Sequence, residues 1–398
     1  RPRRRKRRRG RFHSRPRFVS PQSPDATAAW PMIVFLLQAF GPLLDSADAL
    51  VSGDSRVFLA GRTVAAGVTA FCLALLLGPK AIAWLRARFR EEVKSASGTL
   101  DALHANKTGT PTMGGLFTVA ATLLGGAVWG DLSNRFVQAG LLVVGSFAAL
   151  GAADDWVKLR TARRGLRAKE KLAVQFGLAA LAAVVLQLAL QEAGATTAIV
   201  LPLGGFEIPT GLLFVPWIAL VTTAGSNAVN LTDGLDGLAA GCAVVSGAAV
   251  TGLCYLAGHA LWAEHLTVPH VRGGGELAVL LSAATGGMLG FLWFNTHPAE
   301  VFMGDTGALS FGGLLAFGAA AVRQELLLIL VAGAFVAEAV SVIGQVGCYR
   351  LWGFKPIACS PLHNHFVFRG HAEGRIVVRF WIGSAVCAAA AFASLNLR

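Results

Sequence analysis

Charge is what this 398-residue chain has least of. Only 14% of its residues are charged, against about 25% in an ordinary soluble domain. A water-soluble protein of this length needs more charge to cover its surface, so that class is excluded. The six cysteines (Cys72, Cys242, Cys254, Cys348, Cys359, Cys387) show no paired spacing, and four sit in apolar runs. A disulfide framework and a cysteine zinc site are therefore excluded. No internal repeat of useful period is present, and no small-residue cleavage pattern follows the basic N-terminus.

What is there is apolar. Hydrophobic residues make up 54% of the chain, mean hydropathy is +0.58, and 47 residues are glycine. Glycine at that level suits close helix packing in lipid. The net charge of +13 misleads until it is divided: eleven basic residues lie between Arg1 and Arg17, and the remainder holds 24 basic against 22 acidic residues. Such a run reads as a solvated tail, and nothing downstream is basic enough for a nucleic-acid partner. The expected organisation is a basic, disordered tail over 1–28, an interfacial apolar segment and linker over 29–56, and a membrane domain over 57–398.

Ten apolar stretches are long enough to approach a bilayer of ~30 Å: 61–84, 113–130, 137–153, 172–192, 211–226, 237–258, 277–294, 306–322, 326–346 and 376–395. The expected fold class is all-α, a polytopic membrane protein of about ten spans. The odd-numbered connecting loops carry sixteen Lys and Arg, whereas the even-numbered loops carry only Arg135, Arg272 and Arg323. By the positive-inside rule the odd loops face the cytoplasm.

The polar motifs all fall on that side. Asp154-Asp155 closes the third span, where adjacent acids repel unless a cation or proton compensates. Asn227, Asn230, Asp233 and Asp236 recur every three residues, which on a helix shares a face. Asp305 opens the eighth span in Met303-Gly304-Asp305-Thr306-Gly307, where an acid also suits a helix N-terminus. Together the five acids form an oxygen-rich set suited to Mg²⁺, with Mn²⁺ as a substitute. The two histidines of Pro361-Leu362-His363-Asn364-His365 lack a third soft ligand for zinc, so imidazole as a donor to phosphate is favoured. A transporter places polar groups near the midplane; a one-sided cluster describes an enzyme open to the cytoplasm.

These motifs, with Gly109-Thr110-Pro111-Thr112-Met113-Gly114-Gly115, Glu338-Ala339-Val340-Ser341, Gln345 and Arg375 to Trp381, resemble the MraY family of phospho-N-acetylmuramoyl-pentapeptide transferases over roughly 60–396. That family lies within the polyprenyl-phosphate N-acetylhexosamine-1-phosphate transferases. The resemblance implies a multi-pass enzyme of the bacterial cytoplasmic membrane. Undecaprenyl phosphate and UDP-MurNAc-pentapeptide would be its substrates, lipid I and UMP its products, membrane lipid its surroundings, and a homodimer compatible with it. It implies a Mg²⁺ ligand in Asp305, with Asp154 and Asp155 as the catalytic pair and further candidate ligands. His363 joins them as a catalytic donor. Asn230, Leu231, Asp233, Asp236 and Phe302 resemble the uridine-side pocket, and Lys107, Thr112, Asn295, Gln345 and His365 other substrate contacts. The chain departs from the family at Asn364 and Val367, where a His and a Glu are usual, and at Gly98-Thr99-Leu100 in place of Asp-Gly-Pro. The alternatives are a related transferase using UDP-N-acetylglucosamine and, from another class, a transporter or flippase.

Overall fold

The computed structural model describes residues 59–88, 109–161, 165–201 and 206–395. The tail, the segment over 29–56 and Lys107 lie outside the described residues. The chain is an all-α, multi-pass membrane protein. Its principal helices are α1 (Leu59–Arg88), α2 (Gly115–Trp129), α3 (Arg135–Arg160), α4 (Ala168–Ala193), α5 (Phe214–Thr232) and α6 (Leu238–Ala257). They continue with the short α7 (Ala260–His265), α8 (Glu276–Asn295), α9 (Gly304–Ala321), the one-turn α10 (Leu328–Val331), α11 (Gly333–Trp352), the short α12 (Leu362–Phe368) and α13 (Glu373–Leu395).

Seven helical stretches are long and apolar enough to cross a membrane: α1, α3, α4, Gly211–Thr232, α6, α8 and α13. The other three expected spans are also helical, but each departs from that standard for a physical reason. Helix α2 has 15 residues, which at 1.5 Å per residue is about 22 Å. Helix α9 is buried from Asp305 to Ala321, so protein rather than lipid solvates it. Helix α11 carries Glu338, Gln345 and Arg350, and the stretch expected as one span is broken at Ala332 between α10 and α11.

Two helices form the centre. Helix α9 packs against α3, α5, α6 and α2, while α8 packs against α1, α6 and α2. Helix α4 lies outside α3 and α5, and α13 lies against α6. Small residues make the closest approaches. A Cβ on Gly115 would lie 2.1 Å from the Gly307 nitrogen, and one on Gly151 would lie 2.4 Å from the Asp305 carbonyl oxygen. With no side chain at Gly151, α3 touches the backbone of α9 at its first turn. Asp154 and Asp155 follow within one further turn, so this contact delivers them to Asp305.

The end opposite the polar motifs is closed by buried pairs. Arg62 on α1 pairs with Glu276 on α8 and donates to the Trp129 carbonyl at 3.0 Å. Asn134 caps α3 by accepting from Phe136 N at 2.8 Å, and its amide donates to Gly273 O at 3.0 Å. Arg323 donates through Nε to Ala198 O at 3.0 Å and pairs with Glu325 at 3.2 Å. That pins the small hairpin of β1 (Ile199–Val200) and β2 (Glu207–Ile208) over the α9–α10 turn. Two of the three arginines of the even loops thus act as clasps or pairs, Arg323 here and Arg135 facing Glu192 at 2.9 Å.

Candidate active site

Helix α3 does not end at its acids. It continues to Arg160, because a helix needs backbone bonds and side-chain neutralisation rather than hydropathy. Lys158, one turn beyond Asp154, reaches back to Asp154 Oδ2 at 2.9 Å, the favourable i to i+4 order. The acids therefore sit inside a helix, correcting the expectation that they close the span.

Asp154, Asp155 and Asp305 form one buried cluster whose ligand atoms all lie within 4.8 Å of one another. Lys158 Nζ is 2.9 Å from Asp305 Oδ1 and 3.6 Å from Asp155 Oδ1. Lys171, on the first turn of α4, pairs with Asp305 and lies 3.4 Å from Asp154 Oδ2. Among the described residues, three carboxylates face two ammonium groups, leaving one negative charge in a largely dry site. Such an arrangement is costly without further cationic compensation. The set offers hard oxygen donors, which fit Mg²⁺ better than a softer ion.

The two adjacent acids do different things. Both oxygens of Asp155 are committed to the start of α9: Oδ1 accepts from Asp305 N at 3.1 Å, and Oδ2 from Thr306 N at 3.1 Å and Thr306 Oγ1 at 2.9 Å. A carboxylate from one helix thus satisfies orphan donors of another. Asp154, equally buried, turns to the start of α4 instead, with Oδ1 accepting from Leu166 N at 2.6 Å and Oδ2 near both lysines.

The glycine-rich motif before α2 braces the same place. Gly114 N and Gly115 N donate to Phe302 O and Met303 O, each at 2.8 Å, and Phe302 N donates to Pro111 O at 2.8 Å. This ladder sets the segment leading into α9. Gly304 there has φ of 71°, and a Cβ on it would lie 2.7 Å from Asp155 Oδ2 and 3.2 Å from Thr112 Oγ1. Thr112 is buried beside the cluster; glycine at 304 meets both the positive φ and the close approach.

The second polar group does not join the first. Helix α5 ends at Thr232, so Asn227 and Asn230 are helical whereas Asp233 and Asp236 lie in the following turn. The expected shared face stops at Asn230. Asp236 accepts from Ala299 N at 3.2 Å and lies 3.0 Å from His297 Nδ1, in a separate group with Glu373. The five acids expected as one set are thus divided, because the 233–237 turn is tied to the α8–α9 connection and the start of α13. Asn295 supplies much of that tie. Its Oδ1 accepts from Gly237 N at 3.0 Å and its Nδ2 donates to Val301 O at 2.9 Å. Asn295 is buried and braces this connection. Trp381 Nε1 donates to Gly237 O at 3.1 Å, which gives the Arg375–Trp381 motif a structural role.

His363 is 2% exposed and not a surface-loop residue. A Cβ on Gly234 would lie 2.3 Å from its Nε2, so the ring faces the turn after α5. His365 points elsewhere, its Nδ1 accepting from Ala358 N at 3.1 Å. Leu231 is exposed and Phe302 and Gln345 are half-buried; no described hydrogen bond ties the Gln345 side chain to the acidic cluster. Sequence reasoning missed Lys158 and Lys171, which it counted only as loop charges. Their signal was spacing: a lysine one turn after Asp154, and another opening the next helix.

The chain is similar in sequence to known proteins. Residues 137–323 match glycosyl transferase family 4. The phospho-N-acetylmuramoyl-pentapeptide-transferase of Citrifermentans bemidjiense is 42% identical over 343 residues, covering 86% of this chain and 94% of the relative. The protein of the same name from Solidesulfovibrio magneticus is 44% identical over 345 residues with the same coverage. That of Koribacter versatilis is 40% identical over 363 residues, again with 86% and 94% covered. The chain belongs to the phospho-N-acetylmuramoyl-pentapeptide-transferase family.

Proposed function

We propose that this protein transfers phospho-MurNAc-pentapeptide from UDP-MurNAc-pentapeptide to undecaprenyl phosphate. An oxygen of the prenyl phosphate attacks the β-phosphorus of the nucleotide sugar. The bond from that phosphorus to the bridging oxygen breaks, and UMP leaves with the electron pair, giving lipid I. The observation that carries this reading is the buried group of Asp154, Asp155 and Asp305 with Lys158 and Lys171, in a chain of this family.

Phosphoryl transfer asks chiefly for positioning and charge neutralisation. In this reading Asp154 and Asp305 hold Mg²⁺, and Asp155 fixes the start of α9 so that Asp305 is presented to it. Bound Mg²⁺ would supply charge neutralisation across the substrate phosphates. Lys158 and Lys171, released from the carboxylates, then meet phosphate oxygens of the pyrophosphate and of departing UMP. His363 donates to a phosphate oxygen from the 233–237 side. That turn, whose Gly234 backbone lies against the His363 ring, would border the nucleoside.

The test is UMP release by purified protein with Mg²⁺ and undecaprenyl phosphate. Release is expected from UDP-MurNAc-pentapeptide and not from UDP-N-acetylglucosamine. Release from the second alone, or from neither, would overturn the proposal. The site is further proposed to face the cytoplasm of the bacterial inner membrane. Arg167, beside the acids, and Leu212, which is 99% exposed near the opposite end, test this. A cysteine at 167 is expected to react with an impermeant maleimide only from the cytoplasmic side, and one at 212 only from outside. A common side, or the reverse, would sink the assignment.

A further inference from the structure

Glu338 is an acid within an apolar helix, and its side chain is wholly buried. Its carboxylate meets the first turn of α12: His363 N donates to Oε1 at 3.0 Å, with Oε2 at 3.4 Å. The same Oε1 lies 3.3 Å from His363 Nδ1. That ring nitrogen is sealed from solvent and makes no hydrogen bond among the described residues, so the carboxylate at 3.3 Å is its one described ion-pair partner. In the described ion pairs, Glu338 and His363 occur only with each other.

A buried carboxylate needs a cationic partner, since one backbone donor does not offset its lost hydration. A bare Nδ1 would set its lone pair against an anionic oxygen, so the proton belongs on Nδ1. With Nδ1–H alone the ring is neutral and Nε2 can only accept. For Nε2 to donate toward a phosphate, the ring must carry both protons, and the pair is then neutral overall.

We infer that Glu338 is a positioning residue, whose buried charge fixes the His363 ring and keeps it doubly protonated, so that Nε2 donates to a substrate phosphate oxygen. This rests on the transferase reading above. The absence of a side chain at Gly234 lets the ring pack with Nε2 against the turn after α5, where a Cβ would lie 2.3 Å from it. The other titratable groups on the surrounding elements are Cys242 on α6, which lies near enough to feel the Glu338 charge, Asp233 beside Gly234, His365 on α12, His371 and Arg379. The last two line a cavity between α11, α12 and α13. None of these stands between Glu338 and Nδ1 as an ion-pair partner.

Glu338→Gln isolates the charge, because its carbonyl can still accept from His363 N. Turnover is expected to fall about 10- to 100-fold, with KM for the nucleotide sugar and the melting temperature little changed. In a His363→Ala background the same substitution should cost less than about twofold, because the group it acts through is gone. A Glu338→Gln variant with parental turnover, or an equal loss in both backgrounds, would overturn the inference. Should Glu338→Gln fail to extract as a monodisperse species, adding His363→Gln should restore extraction, since both partners are then neutral. Failure to restore it also counts against the pair. Parental activity in His363→Ala alone would instead strike the role of His363 in the transferase reading, which keeps the two failures distinguishable.

Discussion

Asp305→Asn is expected to lower UMP release at least ~1,000-fold, a loss of about 4 kcal/mol of transition-state stabilisation, while the protein still extracts as a folded, monodisperse species. Asp305 sits at the centre of the charge balance, paired to Lys158 at 2.9 Å and to Lys171. An amide is a poor ligand for a hard cation, and it also removes the negative charge that leaves the three-acid, two-lysine group one short of neutrality. Without that charge the two lysines alone neutralise Asp154 and Asp155, and nothing draws a divalent ion. Chelating Mg²⁺ from the parent should bring its rate to a comparable floor. The check is initial rate against Mg²⁺ concentration for both proteins. Recovery of Asp305→Asn to near-parental turnover at saturating Mg²⁺ would refute the assignment.

Much of the site was legible because acids are conspicuous in apolar sequence. Asp154, Asp155 and Asp305 could be read as one functional group, and they do come together. The same logic put Asp236 in one set with them, yet Asp236 Oδ2 and the Asn295 amide hold the 233–237 turn to the α8–α9 connection instead of meeting that cluster. Composition cannot tell a polar atom that binds a ligand from one that braces backbone. Hydropathy ended the third span at 153 because acids lower the average, yet the helix runs to Arg160 on backbone bonds and the Asp154–Lys158 pair. The break at Ala332 was invisible, since apolar residues flank it on both sides and only packing decides the bend. Glu338 was noticed as part of a motif, but its partner lies 25 residues away on a different helix. Pairings of that range come only from the fold. The lysines hid differently, because cytoplasmic loops are basic anyway and a positive charge there carries no further signal.

The adjacent pair of acids should separate by experiment. Asp154→Asn is expected to cost about 1,000-fold in turnover, because it removes a charge that faces Lys158, Lys171 and, in the proposed mechanism, the metal. Its melting temperature should hold, since Leu166 N can donate to the amide oxygen as it does to the acid. Asp155→Asn removes something else. Its carboxylate is 3% exposed and receives three hydrogen bonds from the first turn of α9. An asparagine can offer its carbonyl to Thr306 or to Asp305 N, but its amino group then faces a donor. Leaving one such buried donor unmatched, with the charge at the helix N-terminus also lost, should cost roughly 3 kcal/mol of stability. The start of α9 then moves, and Asp305 moves with it. Turnover should fall here as well, with the half-saturating Mg²⁺ concentration raised as the misplaced Asp305 binds more weakly. Thermal unfolding in detergent and Mg²⁺ titration of the two variants decide the matter. A lower melting temperature for Asp154→Asn than for Asp155→Asn would show that the two carboxylates do not divide the work in this way.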